Sequence, residues 1–111
     1  EYLGVTPDTD TEGCLQDIHW SKTFPGFISY TLGSVLAAQF WHAATEDVPD
    51  LEARIAAGEF DPLHDWLEAN VQSPGQRYPT DELVERATGE PLNEDYFVDY
   101  VTEKFADLYD L

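Results

Sequence analysis

Positive charge is the scarcest feature of this 111-residue chain. It contains 5 Lys and Arg residues against 23 Asp and Glu residues, which gives a formal net charge of −18 at pH 7. DNA, RNA and anionic lipids bind proteins through clustered basic side chains, so we expect no nucleic acid and no membrane as partner. The acidic residues are dispersed along every segment, which is typical of a salt-adapted protein. An ordinary acidic cytoplasmic domain is the alternative.

Methionine is missing altogether, and the sequence begins with Glu1. We therefore expect these residues to be a piece of a longer polypeptide. We expect that polypeptide to be located in the cytoplasm. Cys14 is the single cysteine, which excludes a disulfide within the chain. No apolar run reaches the ~18 residues that a membrane span requires.

Turn and capping residues divide the chain into about six helical segments. No segment alternates apolar and polar residues over more than a few positions, so the predicted fold is all-α. The first helix begins near Glu12 and holds Gln16, Asp17 and His19, and the others cover approximately 26–44, 50–57, 61–71, 81–88 and 93–108.

The segment from Gly26 to Ala44 is apolar on almost every side, which predicts burial on most of its faces. A chain of 111 residues has few elements that could surround such a helix. We therefore expect partner helices from a deleted part of the polypeptide or from a second subunit. The last segment instead places its apolar residues three and four positions apart, which makes a single stripe.

The chain contains no complete catalytic motif that its residues alone would identify. The three histidines, His19, His42 and His64, are far apart in the sequence, and none belongs to a His-Glu-x-x-His motif. There is no Gly-x-Ser-x-Gly elbow and no glycine-rich phosphate loop. We expect His42 to form a hydrogen bond near its helix end and His64 to lie at the surface.

One polar cluster remains, formed by Gln16, Asp17, His19 and Trp20 and followed by Tyr30. In one interpretation these are buried polar residues that anchor a helix end, with Trp20 in the core. In the other, His19 and Tyr30 are hydrogen-bond donors that face a cleft and hold a polarised carbonyl group. The residues alone leave both interpretations open.

The stretch Gly13-x-x-Gln16-Asp17-x-His19-Trp20 resembles a motif of the thermostable, Taq-type zinc carboxypeptidases. The likeness continues through 24–44 and 83–92 and reaches the terminal Lys104-Phe105-x-x-Leu108-Tyr109. The whole chain therefore resembles the C-terminal fifth of such an enzyme.

This resemblance implies part of an all-helical metallocarboxypeptidase that removes single residues from peptides with a free C-terminus. Members of the family hold a divalent metal, zinc or cobalt, with a His-Glu-x-x-His helix and a later Glu, and they usually form homodimers. In related helical peptidases a His and a Tyr on the opposite wall donate hydrogen bonds to the substrate carbonyl and to the oxyanion. By position, His19 and Tyr30 are the candidates here, with Gln16, Asp17 and Trp20 in substrate-binding or supporting roles.

The chain departs from the family pattern because the metal-binding helix and the upstream arginine-bearing motifs are absent from its sequence. We therefore expect the 111 residues to bind no metal, to be inactive alone and to require the N-terminal portion of the same enzyme. The alternative function is a non-catalytic, acidic helical module for interaction or dimerisation. In that case Phe27, Leu36 and Phe40 would form an exposed patch, and His19 and Tyr30 would not need to converge.

The net charge of −18 predicts an unusual response to salt. The melting temperature of the purified chain should continue to rise from about 0.15 M salt, where exposed charges are already screened beyond ~8 Å, into the molar range. Calorimetry in a series of potassium chloride concentrations measures this. A melting temperature that stays constant across the series would contradict a salt-adapted origin.

Overall fold

The computed structural model describes Gly4, residues 6–13, His19 and residues 26–110. The chain divides into two compact units, Glu1–Leu32 and Gly33–Leu111. The described residues form helices and turns without a β-strand, which confirms the predicted all-α fold. No helix among them is both long enough and apolar enough to cross a membrane.

Five α-helices lie within the described residues. They are α1 (Ile28–Asp47), α2 (Leu51–Ala56), α3 (Asp61–Leu67), α4 (Thr80–Thr88) and α5 (Asp95–Tyr109). A π-helical turn, Glu68–Gln72, follows α3, and a 3-10 turn, Gly75–Arg77, precedes α4. The first predicted helix lies mostly outside the described residues, although His19 itself is helical.

The predicted helix over 61–71 is correct at its start but changes its winding after Leu67. Asn70 Nδ2 donates a hydrogen bond of 2.9 Å to the carbonyl of Trp66, which in a regular α-helix would accept the backbone N–H of residue 70. Ser73 N instead donates to Glu68 O across five residues, at 2.8 Å. The side-chain bond of Asn70 lies where the winding becomes wider, and local side-chain bonds of this kind can compete with the backbone pattern of a helix.

The apolar core of the second unit lies where α1, α2 and α3 meet. Ala44, Leu51 and Trp66 are buried there, and partly buried side chains including Phe40, Ile55 and Leu67 pack around them. Trp66 Nε1 donates a hydrogen bond of 2.7 Å to Asp47 Oδ2, so the indole N–H keeps a partner inside the packed region.

The expectation that α1 is buried on most faces is not met within the described residues. Val35, Gln39 and Ala44 are its buried residues, whereas Ile28, Leu32 and Trp41 remain exposed. The stripe of α5 is likewise without a buried residue.

A buried amide joins α1 to the connection between α4 and α5. Gln39 is only 1% exposed, and its Nε2 donates to Thr88 Oγ1 at 2.9 Å and to the carbonyl of Pro91 at 3.0 Å. Its Oε1 accepts the backbone N–H of Asn93 at 3.0 Å. The connection begins at Gly89, which caps the end of α4 with a left-handed φ of 84° that glycine adopts without strain.

Replacing Gln39 with Ala should destabilise the second unit strongly. The substitution leaves buried donors and acceptors of the α4–α5 connection without partners, so the free energy of unfolding should fall by about 3 kcal/mol. Gln76→Ala, at an exposed position, is the matched control and should change it little. Urea denaturation followed by tryptophan fluorescence compares the two, and equal stability of both variants would contradict the role given to Gln39.

Candidate functional site

The first unit brings three aromatic side chains together, His19, Phe27 and Tyr30, which we call the His19 cluster. The His19 and Tyr30 rings meet edge to face, with centroids 5.8 Å apart and planes at 82°. Phe27 contacts both of them, at 5.0 Å from the His19 ring and 6.0 Å from the Tyr30 ring. Edge-to-face and tilted pairs at these separations are the favoured geometries of aromatic rings.

The start of α1 places Tyr30 in this cluster. The carbonyl oxygen of Phe27 accepts the backbone N–H groups of Tyr30 at 3.1 Å and Thr31 at 3.3 Å, and Ser29 Oγ donates to the carbonyl of Gly26 at 3.1 Å. Phe27 and Tyr30 are three residues apart, a spacing that puts side chains on the same face of a helix. The spacing of Phe27 and Tyr30 along the chain therefore brings their rings into contact.

His19 and Tyr30 lie at the surface, where a ligand can reach them. Tyr30 is 61% exposed and His19 is exposed, whereas Phe27 is half-buried. An imidazole and a phenol that lie side by side can each present a hydrogen-bond donor to one small polar group, such as a carbonyl oxygen. The arrangement can therefore stabilise negative charge that develops on an oxygen atom.

The other predicted site residues, Gln16, Asp17 and Trp20, lie outside the described residues, and their roles remain predictions. The first residue of the motif, Gly13, does have a physical explanation. A Cβ atom at this position would come within 2.9 Å of Pro7 Cγ, closer than real Cβ contacts. The turn in which Thr9 O accepts the N–H groups of Glu12 and Gly13, at 3.2 and 3.1 Å, creates this close approach.

The described residues do not fit a resident metal ion. Within 6–13 and 26–110, together with Gly4 and His19, no group of three His, Cys, Asp or Glu side chains lies close enough to hold one. His64 is exposed on α3, as expected. His42 packs its ring against Tyr96 of α5, with centroids 4.5 Å apart.

The contact of His42 with Tyr96 belongs to a polar group that sequence reasoning missed. The hydroxyl of Tyr96 donates a hydrogen bond to the carboxylate of Glu90, which raises the pKa of the Tyr96 phenol, and the nearby charges of Glu90, Asp95 and Glu46 act in the same direction. His42 and Tyr96 are on different helices, so no local spacing indicates the contact. The sequence does place Glu90 only six residues before Tyr96, which is a local signal for their hydrogen bond.

Comparison with protein-family models matches residues 1–105 to a family described as carboxypeptidase Taq (M32) metallopeptidase. This match places the chain among the metallopeptidases. The chain belongs to the carboxypeptidase Taq (M32) family, which confirms the resemblance of its motifs at the level of the family.

The relatives share both sequence and structure with the chain. Carboxypeptidase 1 of Bacillus subtilis is 44% identical over 110 residues, which cover 98% of this chain and 22% of that protein. Thermostable carboxypeptidase 1 of Pyrococcus furiosus is 41% identical over 104 residues, 93% of this chain and 21% of that protein. The crystal structure of an M32 carboxypeptidase from Deinococcus radiodurans R1 matches with a TM-score of 0.85 and 41% identity, over 98% of this chain and 22% of that one. The chain thus spans about a fifth of the length of these relatives.

Proposed function

We propose that these residues are the C-terminal part of a longer, metal-dependent carboxypeptidase from a salt-adapted organism. The family match and the 41–44% identity to carboxypeptidases support the enzyme class. Coverage of about a fifth of the relatives' length supports the status of a part. The net charge of −18 supports the salt adaptation.

In this proposal, His19 and Tyr30 are catalytic residues that donate hydrogen bonds to the substrate carbonyl and to the oxyanion formed from it. The observation that carries the proposal is the edge-to-face contact of their two exposed rings, at 5.8 Å. Donors that face the developing charge lower the barrier because they stabilise the transition state more than the ground state.

The remaining parts of the enzyme are proposed to lie elsewhere in the polypeptide. The divalent metal, zinc or cobalt, would be held by residues upstream of this part and would supply Lewis-acid chemistry when bound. Gln16, Asp17 and Trp20 would support the substrate. The substrates are peptides with a free C-terminus, and the enzyme is proposed to be a cytoplasmic homo-oligomer.

A second candidate function is an acidic helical module for interaction or dimerisation. The exposed apolar side chains of α5 favour it, since Tyr100, Leu108 and Tyr109 are between 52% and 64% exposed. An interaction module does not require His19 and Tyr30 to lie side by side. The residues that would form its exposed patch are half-buried instead, namely Phe27, Leu36 and Phe40. The geometry of the His19 cluster therefore favours the catalytic role.

Replacing Tyr30 with Phe in the full-length enzyme should lower kcat by a factor of about 100, because the loss of one oxyanion donor typically costs about 3 kcal/mol. The metal content should not change. Tyr109→Phe, at a position 63% exposed on α5, is the matched control and should keep full turnover. Unchanged turnover of Tyr30→Phe, measured with metal analysis on the same sample, would remove Tyr30 from the site.

The purified 111-residue chain alone should release no C-terminal residue from peptides, with or without added zinc or cobalt. The physical reason is the lack of a metal-binding set among the described residues. Mass spectrometry of peptide mixtures, with the full-length enzyme as positive control, measures this. Metal-dependent release by the 111 residues would overturn the proposal that they are one part of the site.

A further inference from the structure

We propose that Phe27 is a positioning residue, which holds the His19 imidazole and the Tyr30 phenol in a productive arrangement. This inference rests on the proposed function of those two side chains. It assigns a role to a residue that carries no hydrogen-bonding group in its side chain and that the motif does not include.

The ring geometry is the first argument. The Phe27 ring is tilted by 46° against the His19 ring and by 50° against the Tyr30 ring, so it contacts both donors at once. Phe27 is half-buried, whereas the two rings beside it are exposed. The less exposed Phe27 ring contacts both exposed rings and so limits the rotamers that they can adopt.

The main chain of Phe27 is the second argument. Its carbonyl accepts the N–H groups of Tyr30 and Thr31, so the backbone that carries the Phe27 ring is bonded to the turn that carries the Tyr30 ring. The relative position of these two rings is therefore set by local helix geometry. The His19 ring comes from a separate segment. Its contact with Phe27, with ring centroids 5.0 Å apart, holds it beside the residue that precedes α1.

The chemistry of phenylalanine suits this role. Its side chain offers apolar area and a defined ring face that can pack against both neighbouring rings. Catalysis is sensitive to such positioning, since small displacements of a donor from the transition-state oxygen reduce its effect greatly.

The test uses the full-length enzyme. Phe27→Leu removes the ring and keeps apolar volume, and it should lower kcat about fivefold with KM and metal content unchanged, since aromatic pair contacts of this kind are individually modest. Phe27→Tyr keeps the ring and should restore kcat to within about twofold. If Phe27→Leu fails to fold, Phe27→Met is a second variant without a ring. Phe60→Leu, at a residue that is 61% exposed, is the matched control and should keep the kcat of the unmodified enzyme.

A double-mutant cycle with His19→Asn separates positioning from a structural role. If Phe27 acts through His19 as well as through Tyr30, the kcat loss caused by Phe27→Leu should be smaller when His19 is already replaced. Three outcomes would each overturn the inference. They are an equal loss of kcat with and without His19, a rise in KM instead of a fall in kcat, and full activity of both Phe27→Leu and Phe27→Met. Full activity of His19→Asn would overturn the proposed function as well. A large loss of kcat in His19→Asn together with an unchanged kcat in Phe27→Leu would overturn the inference alone.

Discussion

The three hydrogen bonds of the buried Gln39 amide join parts of the second unit that are 49 to 54 residues apart in the sequence. They join α1 to the connection between α4 and α5, at Thr88, Pro91 and Asn93. An amide that is 1% exposed is stabilising only while its partners are satisfied, so the connection must keep one conformation. Gly89 permits that conformation through its left-handed φ. Apolar packing in the same unit includes the cluster of Ala44, Leu51 and Trp66 and the buried Val35, Val84 and Ala87.

Electrostatics constrains the chain in a different way. The charge of −18 is spread over the helices, and the ion pairs described, Arg54 with Glu59 and Arg86 with Glu82, are both exposed at the surface. Exposed pairs of this kind contribute little to stability, so apolar packing and the buried amide must outweigh the self-repulsion of the acidic surface. The polar contacts of Trp66 with Asp47 and of Tyr96 with Glu90 place two carboxylates where they accept hydrogen bonds from neutral donors.

The sequence predicted the helices well because their signals are local. Pro62 in the first turn of α3 and Gly89 after α4 are such local signals, and the structure places both at helix ends. The hydrogen bonds of Gln39 and the contact of His42 with Tyr96 were not predicted, since the partners are 49 to 54 residues apart in the sequence. For the site, the resemblance to the family suggested His19 and Tyr30, whose catalytic roles stay predictions, and the structure shows that their rings are in contact. The role proposed for Phe27 rests on the ring geometry, because the sequence gives one phenylalanine among six no distinguishing pattern.

The central proposal is that two neighbouring side chains of this chain, His19 and Tyr30, face the oxygen atom on which charge develops during peptide hydrolysis. The most direct measurement is a crystal structure of the full-length enzyme with a peptide analogue that carries a tetrahedral phosphinyl group in place of the scissile carbonyl. The account predicts that a ring nitrogen of His19 and the hydroxyl of Tyr30 each lie within about 3.1 Å of the analogue's carbonyl or phosphinyl oxygen atoms. Both groups lying beyond about 3.5 Å from every oxygen of the analogue would contradict it.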